Sequence, residues 1–401
     1  MVTLRSAPAF GAVHRPLRRA SSYPQTRVIA ILPSAGPGTL GPMTTNISEP
    51  TLTLSTPADV LAAVPYLLGF HPADSLVVIG MSGPLGHGRI EVSTRWNLPL
   101  SPGALQPVVA MFRRERVTHA IIVGYGPGPL VTPAVDEARA LAEREGIRIC
   151  EALRAHEGRF WSYVCDCCDA EGTPFDISSS QVAAAATVQG LVALPDRESL
   201  KRTVESLAGP VRLAMRRATA EAADELRARL AATADHDLFA RGFVEDGLIR
   251  VRSAILAYTA GSRVDDRTAA RIGLDLTVIR IRDEAWTLID QTAPRAHLTL
   301  WKDLARRLEP RFAPPAAALL GVAAWQVGDC ALASIALERA LSIDPAYSMA
   351  KLLTHALGHF ISPQALRERM PTPTDLDTAM GAPRASWLLP LLHLLDDTAE
   401  P

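Results

Sequence analysis

Apolar and polar positions along the chain follow two patterns, and the change between them falls near residue 178. Before that point, short apolar or alternating runs rich in β-branched residues predict strands. These runs lie at residues 75–81, 89–98, 119–125, 147–154 and 159–165. Helical patterns at about 102–116 and 132–145 separate three of them, which gives the order ββαβαββ. Because each strand–helix–strand step joins parallel strands, we expect a mixed sheet covered by helices.

The run at 89–98 alternates strictly between apolar and polar side chains. Ile90, Val92, Thr94, Trp96 and Leu98 share one face, and the other face carries Arg89, Glu91, Ser93, Arg95 and Asn97. Such alternation is typical of a strand that is buried on one side only.

After residue 178 helical patterns continue to the C-terminal tail. They lie at about 181–191, 196–207, 211–232, 239–257, 268–292 and 298–308, and Pro314-Pro315 then separates them from the last segment. We therefore expect a disordered leader or over-extended start at 1–45, a mixed α/β domain at 46–178 and a helical domain at 179–312. Tetratricopeptide-like helices at 313–363 and a tail at 364–401 with a short terminal helix complete the chain.

Residues 317–344 read as two short helices joined at Gly328-Asp329. Their small and apolar positions resemble one tetratricopeptide repeat. A single repeat cannot bury its own apolar face. We therefore expect this hairpin to pack on the helical domain or on an unidentified protein partner. The candidate partner-binding residues are Leu320, Ala333 and Leu337.

Composition excludes several functional classes. The chain has 401 residues and a formal net charge of -1, so nothing draws it electrostatically to nucleic acid or to an anionic membrane. No apolar run is long enough for a transmembrane helix. Five cysteines, an odd number, and the lack of an export signal predict a cytoplasmic protein without a disulfide framework. All but three of the 41 basic residues are arginine, which we attribute to a GC-rich genome.

A turn before the first strand of the sheet carries the most reactive residue types. His71, Asp74 and Ser75 follow one another closely there, and this combination is compatible with a hydrolase. A serine nucleophile needs a base within hydrogen-bond reach and a third group to orient that base. No Gly-x-Ser-x-Gly elbow surrounds Ser75. The alternative, which we favour, is a turn fixed by Pro72 whose polar side chains cap backbone groups.

Cys165, Cys167 and Cys168 form the densest cysteine cluster, and His156 lies nearby in the sequence. These four are candidate zinc ligands. Zinc sites in proteins usually separate paired ligands by two to four residues. Three thiolates spaced Cys-x-Cys-Cys would distort the backbone around one ion, so we favour packing thiols and predict no cofactor.

The run Gly-Tyr-Gly-Pro-Gly-Pro at 124–129 stands where α/β sheets bind phosphates. It matches no phosphate-binding motif. Pro127 and Pro129 lack the backbone N–H groups that an anion would need. The pattern therefore favours a rigid turn over a nucleotide site.

Three stretches together resemble a known family. The first is residues 57–78, which include Gly-Phe-His-Pro-Ala-Asp-Ser at 69–75. The second is residues 158–168, followed by Glu-Gly-Thr-Pro at 171–174. The third runs from Gly328-Asp329 to Tyr347. In this order they resemble an actinobacterial family, domain of unknown function 4192, over about residues 51–363. The resemblance implies no established activity.

The sequence supports two hypotheses about function. No complete catalytic signature is present, so our leading hypothesis is a non-enzymatic protein-interaction or regulatory module. The alternative is an enzyme or small-ligand-binding protein. It would use the turn at His71, Asp74 and Ser75 together with the Cys165–Cys168 cluster. These side chains would then have to converge in one pocket.

Overall fold

A mixed sheet of six strands organises the first half of the chain. The structure, a computed structural model, describes residues 28–31, 51–84, 88–165, 170–290 and 292–396. The strands are β1 (Val28–Ile31), β2 (Thr51–Leu54), β3 (Ser75–Ser82), β4 (Arg89–Asn97), β5 (His119–Tyr125), β6 (Arg148–His156), β7 (Arg159–Ser162) and β8 (Thr173–Pro174). The sheet has the order β4-β3-β5-β6-β7-β8, and β1 pairs with β2 in a separate antiparallel ladder. The mixed α/β prediction is confirmed. Apart from β1, the predicted leader at 1–45 lies outside the described residues.

Strand directions bring four strand ends to one edge of the sheet. β3 runs antiparallel to both β4 and β5, and β5 is parallel to β6. The carboxyl ends of β4, β5 and β6 therefore meet where β3 begins. Ligands of open α/β sheets usually bind at such an edge, which we call the carboxyl edge.

Four helices cover the two faces of this sheet: α1 (Pro57–Leu68), α2 (Gln106–Arg114), α3 (Gly128–Arg144) and α4 (Gln181–Val188). The face of Leu76 and Ile122 shares a core with α2 and α3. The face of Val77 and Val123 belongs to a larger core that includes α1, α4 and the helices after residue 195. Because β3 is covered on both faces, its sequence is a continuous apolar run.

The start of α3 differs from the prediction. The sequence indicated an N-cap at Thr132, but the helix begins one turn earlier, with Pro127 as its N-cap. Pro129 falls in the first turn, where a missing N–H breaks no helical hydrogen bond, and Pro133 lies inside the helix. Gly124 lets this helix approach β5 closely, since a Cβ there would lie 2.1 Å from Cγ1 of Val131.

The second half of the described chain is helical. Its helices are α5 (Arg197–Arg202), α6 (Pro210–Ala231), α7 (His236–Thr259), α8 (Asp266–Asp275), α9 (Ile279–Thr287), α10 (Pro294–Arg307), α11 (Ala313–Gln326), α12 (Cys330–Ile343), α13 (Ser348–Gly358), α14 (Pro363–Arg367), α15 (Pro373–Met380) and α16 (Leu389–Asp396). None of the helices in the described ranges combines the length and the apolar character needed to cross a bilayer.

One expectation about these helices was wrong. The single helix predicted at 268–292 is two helices, because the chain turns between Asp275 and Ile279. Pro314-Pro315 does mark the start of a new helix, because α10 ends at Arg307 and α11 begins at Ala313. It occupies the first turn of α11, the one part of a helix where proline fits without loss of a hydrogen bond.

The helical hairpin of α11 and α12 forms as predicted, and it lies inside the chain's own core. Every residue of α11 is buried. Leu320 and Ala333 are 0% exposed and Leu337 is 1% exposed. Of the two expected arrangements, the hairpin adopts the one in which it packs on the helical region. Its likeness to a tetratricopeptide repeat stays a prediction.

Candidate functional site

The carboxyl edge collects polar side chains from β3 and β4. Ser75 begins β3 and is completely buried. Its Oγ donates to the carbonyl of Ala73 at 2.6 Å and accepts from Nη1 of Arg95 at 2.7 Å. The same nitrogen donates to Oδ1 of Asn97 at 2.8 Å. One side of the Arg95 guanidinium is thereby fixed to the ends of two strands.

The rest of the Arg95 guanidinium has a different environment. Its carbon lies 5.6 Å from the ring centroid of Phe70. Nε and Nη2 have no acceptor among the described residues, and both atoms reach solvent. Burial lowers the pKa of Arg95, the nearby charge of Arg197 lowers it further, and Glu338 partly offsets both effects. Glu338 is itself engaged by Arg197 at 2.5 Å.

The loop before β3 is held by backbone pairing to a distant segment. The N–H of His71 donates to the carbonyl of Leu194 at 2.9 Å, and the N–H of Leu194 donates to the carbonyl of Gly69 at 2.8 Å. These bonds join the turn to the segment between α4 and α5. Pairing of this kind supports the structural interpretation of the predicted turn.

Asp74 has an unusual backbone at the carboxyl edge. Its φ of 42° lies in the left-handed region, which costs energy for a residue with a side chain. Its carbonyl accepts from the N–H of Leu98 at 2.8 Å, while its carboxylate is exposed. Gly126 has a φ of 131°, and a Cβ there would lie 3.0 Å from Oδ1 of Asp74, so a larger residue would be strained at this position.

The three candidate catalytic residues are neighbours in the structure without forming a catalytic arrangement. Within the described ranges, no side-chain hydrogen bond links His71 to Ser75 or Asp74 to His71. Ser75 is engaged on both sides, as donor to Ala73 and as acceptor from Arg95. A nucleophile would need its proton directed at a base, and Ser75 directs it at a carbonyl.

The structure describes one residue of the cysteine cluster, Cys165. Cys165 takes part in a disulfide bond, and Cys167 and Cys168 lie outside the described residues. A sulfur in a disulfide is not a thiolate, so Cys165 in this state offers no ligand to zinc. Nε2 of His156 lies 3.7 Å from the Glu157 carboxylate. Among the residues that the structure describes, no three His, Cys, Asp or Glu side chains converge as a metal site.

The predicted turn and Cys165 lie in different parts of the sheet. β7 begins at the carboxyl edge and runs away from it, so Cys165 follows its opposite end. Two strands, β5 and β6, separate β7 from Ser75 on β3.

The glycine- and proline-rich turn at 124–129 has an arginine beside it. The Arg154 guanidinium carbon lies 3.4 Å from the ring centroid of Trp161 and 3.7 Å from a Cβ placed at Gly128. Like Arg95, Arg154 has no carboxylate within ion-pair distance in the described part of the chain. Neither arginine was identified from sequence. The alternating pattern at 89–98 placed Arg95 on the polar face of the strand, but nothing in that pattern distinguished Arg95 from Arg89.

A protein-family model matches residues 57–364, which is most of the chain; the family is described as a domain of unknown function, DUF4192. The chain belongs to this DUF4192 family. The matched range begins at α1 and extends into α14, so the family includes the sheet, the carboxyl edge and the buried hairpin. No curated protein and no solved structure matches the chain. The DUF4192 assignment confirms the resemblance seen in the sequence, and it supplies no activity.

Proposed function

We propose that this protein binds a small anionic ligand, a carboxylate or a phosphate, on the open side of Arg95. One observation carries the proposal: Arg95 is a half-buried guanidinium with two N–H nitrogens that meet no acceptor in the described chain. Burial of a charge is costly unless an opposite charge or hydrogen bonds compensate it. An anion on these nitrogens would compensate it.

The geometry of Arg95 favours an anion with two oxygens. Nη1 is held by Ser75 and Asn97, which fixes the plane of the guanidinium. The remaining pair, Nε and Nη2, forms a fork that matches a carboxylate or phosphate in bidentate fashion. A fork that is already fixed loses little conformational freedom on binding, and this favours affinity.

Electrostatics add to this preference. Arg197 lies close enough to lower the pKa of Arg95, so two positive charges share this region. Glu338 is the nearby acid, and it is bonded to Arg197 and to Ser334 at 3.1 Å. Because Glu338 is engaged by Arg197, it forms no ion pair with Arg95.

The proposed role is binding without catalysis. Ser75 acts here as a support for Arg95, through the hydrogen bond that it accepts from Nη1. This preserves the ligand-binding half of the alternative hypothesis, at the same turn. It leaves the enzymatic half without a positioned nucleophile.

The test is thermal unfolding of the purified protein with sodium phosphate, sulfate or acetate at constant ionic strength. A ligand that binds only the folded state raises the melting temperature with concentration. We expect at least one anion to do so in the parent and none in Arg95→Gln. Arg89→Gln, at the exposed opposite end of β4, is the matched control and should respond like the parent.

Arg95→Lys keeps the charge and removes the fork, so it should lose most of the response. An equal response of the parent and Arg95→Gln to every anion would contradict the proposal. A response to phosphate and sulfate alone would identify a phosphate-type ligand, and a response to acetate alone would identify a carboxylate.

The protein-interaction hypothesis needs a surface other than the predicted one. Leu320, Ala333 and Leu337 are inside the core, so they offer a partner no contact in this fold.

A further inference from the structure

Two histidines lie one helical turn apart at the C-terminal end of α13. His355 belongs to the last turn of the helix, and His359 is its C-cap residue. Both are exposed, and their ring centroids are 4.0 Å apart with the ring planes inclined by 35°. Residues four positions apart share one face of a helix. The chain therefore presents two imidazole rings side by side to solvent.

A hydrogen bond of His359 determines which of its ring nitrogens is available. Its Nδ1 lies 2.8 Å from the carbonyl oxygen of His355. Because a carbonyl oxygen can only accept, Nδ1 donates, and Nε2 of the neutral ring keeps a lone pair. Histidines that bind metals are oriented by this kind of bond from the second ring nitrogen to a backbone carbonyl. No other described residue engages the ring nitrogens of His355. Both rings can therefore offer a nitrogen to one ligand.

The separation of the two rings fits a shared metal ion. Zinc binds histidine nitrogens at ~2.0–2.1 Å in a tetrahedral array, which places two such nitrogens about 3.4 Å apart. The two ring centroids are already 4.0 Å apart. Histidines four residues apart on a helix also provide two of the ligands in the His-Glu-x-x-His zinc motif. Here Ala-Leu-Gly stands between them at 356–358, without the glutamate that acts as general base in that motif. The geometry therefore fits metal binding without hydrolysis.

We propose that His355 and His359 together bind one divalent transition-metal ion of the kind that imidazole prefers, with zinc as the ion to be tested. Imidazole nitrogen suits zinc, copper and nickel, whereas Mg²⁺ prefers oxygen ligands. No third His, Cys, Asp or Glu side chain among the described residues joins the pair. Water would therefore complete the coordination, and the ion would exchange with solvent.

The proposed metal site lies where α13 meets the sheet and its helices. The next residue, Phe360, accepts a hydrogen bond at its carbonyl from Arg114, which ends α2. Its ring packs edge-on against Trp96 of β4, with 6.3 Å between the ring centroids. An ion bound to both histidines would tie the last turn of α13 to the residue that precedes this contact. Because such an ion binds the folded chain, it should raise the melting temperature.

Isothermal titration calorimetry of the protein without a histidine tag, with zinc chloride, tests the site. We expect one zinc ion to bind at this site in the parent, and the melting temperature to rise with zinc concentration. His355→Gln and His359→Gln should each weaken zinc binding at least ~10-fold, since loss of even an outer-shell partner costs about that much. His393→Asn removes an exposed histidine of α16 and is the matched control. Magnesium chloride should produce neither effect.

Two double variants separate the spacing of the histidines from their number. His359→Gln with Lys351→His again places two histidines four residues apart at exposed positions of α13, so zinc binding should return. His359→Gln with Thr354→His has the same number of histidines at adjacent exposed positions. Adjacent side chains do not face each other on a helix, so zinc binding should stay weak.

Three results would overturn the inference. They are a parent that binds no zinc, zinc binding that His355→Gln and His359→Gln leave unchanged, and equal recovery of binding in the two double variants. The second result would assign the zinc to other ligands, such as the cysteine cluster. Circular dichroism of each variant shows whether the helix content is retained. The anion site at Arg95 is on different elements, so either proposal can fail without the other.

Discussion

Arg280 and Arg307 lie in the interior of the helical region, and each is paired with carboxylates. Arg280 donates to Glu284 and Asp377, both at 2.7 Å, and Arg307 lies 3.3 Å from Asp303 and 3.4 Å from Asp266. Arg95, at the carboxyl edge of the sheet, has no carboxylate at such a distance among the described residues. One residue type therefore serves two purposes in this chain. An arginine that is paired with carboxylates of the same chain holds helices together. An arginine without such a pair is available to bind a ligand.

The largest expected effect comes from breaking a buried pair in the helical region. Glu284 is 1% exposed and receives hydrogen bonds from Arg280 and Arg252. Glu284→Gln leaves buried positive charge without its main partner, so we expect a loss of about 3 kcal/mol in the free energy of unfolding, measured with urea. Glu338→Gln is the control. Its pair with Arg197 is partly exposed, so it should cost less than about 1 kcal/mol.

The two regions should also respond in opposite directions to added methyl groups. Gly124→Ala would place a Cβ 2.1 Å from Val131, so α3 must move away from β5. We expect a loss of about 2 kcal/mol. Gly242→Ala adds a methyl group in open space on helix α7 and should gain up to about 1 kcal/mol through helix propensity. Chemical denaturation of both variants compares them directly, and a stable Gly124→Ala would contradict the close packing of α3.

Sequence patterns predicted the sheet well because its strands are short, regular and bounded by turn residues. The order ββαβαββ holds from β3 to β7, and strands such as β5 fall at the predicted residues, whereas the sixth strand of the sheet, β8, was not predicted. Helix ends were predicted less well where proline was taken as a boundary. Pro133 was taken as the start of α3 but lies inside it, one turn after the helix begins at Gly128.

The candidate site was predicted only in outline. The motif at 69–75 does mark the carboxyl edge, but the residue that characterises it, Arg95, comes from a different strand and enters through the pairing of β3 with β4. The same limit applies to the hairpin. Leu320 and Ala333 have the pattern of packing residues, and only the tertiary arrangement shows that the rest of this chain provides the packing.

The helical region also contains a buried histidine. His297 is 2% exposed, and its Nδ1 has no partner in the described chain. Burial lowers its pKa below the ordinary 6.5, and Asp290 opposes this shift only in part. Below pH 6.5 the unfolded chain binds a proton that the folded chain does not, so stability should fall as the pH falls from 6.5 toward the folded-state pKa.

This pH dependence can be measured by urea unfolding between pH 7 and pH 5. His297→Leu should lose stability less steeply with falling pH than the parent does. His393→Asn is the control, because His393 is exposed, and its profile should follow the parent. Parallel profiles for the parent and His297→Leu would show that His297 is not the group responsible.

The smallest effect on the free energy of unfolding is expected at Arg95, in contrast to the paired arginines of the helical region. Arg95→Gln removes hydrogen bonds to Ser75 and Asn97 but no ion pair. In a buffer without binding anions we therefore expect a change of less than about 1 kcal/mol in the free energy of unfolding, against about 3 kcal/mol for Glu284→Gln. If Arg95→Gln proved as damaging as Glu284→Gln, Arg95 would be a structural residue like Arg280. If the parent becomes more stable than Arg95→Gln only when the anion is added, the anion from solution is the counterion of Arg95.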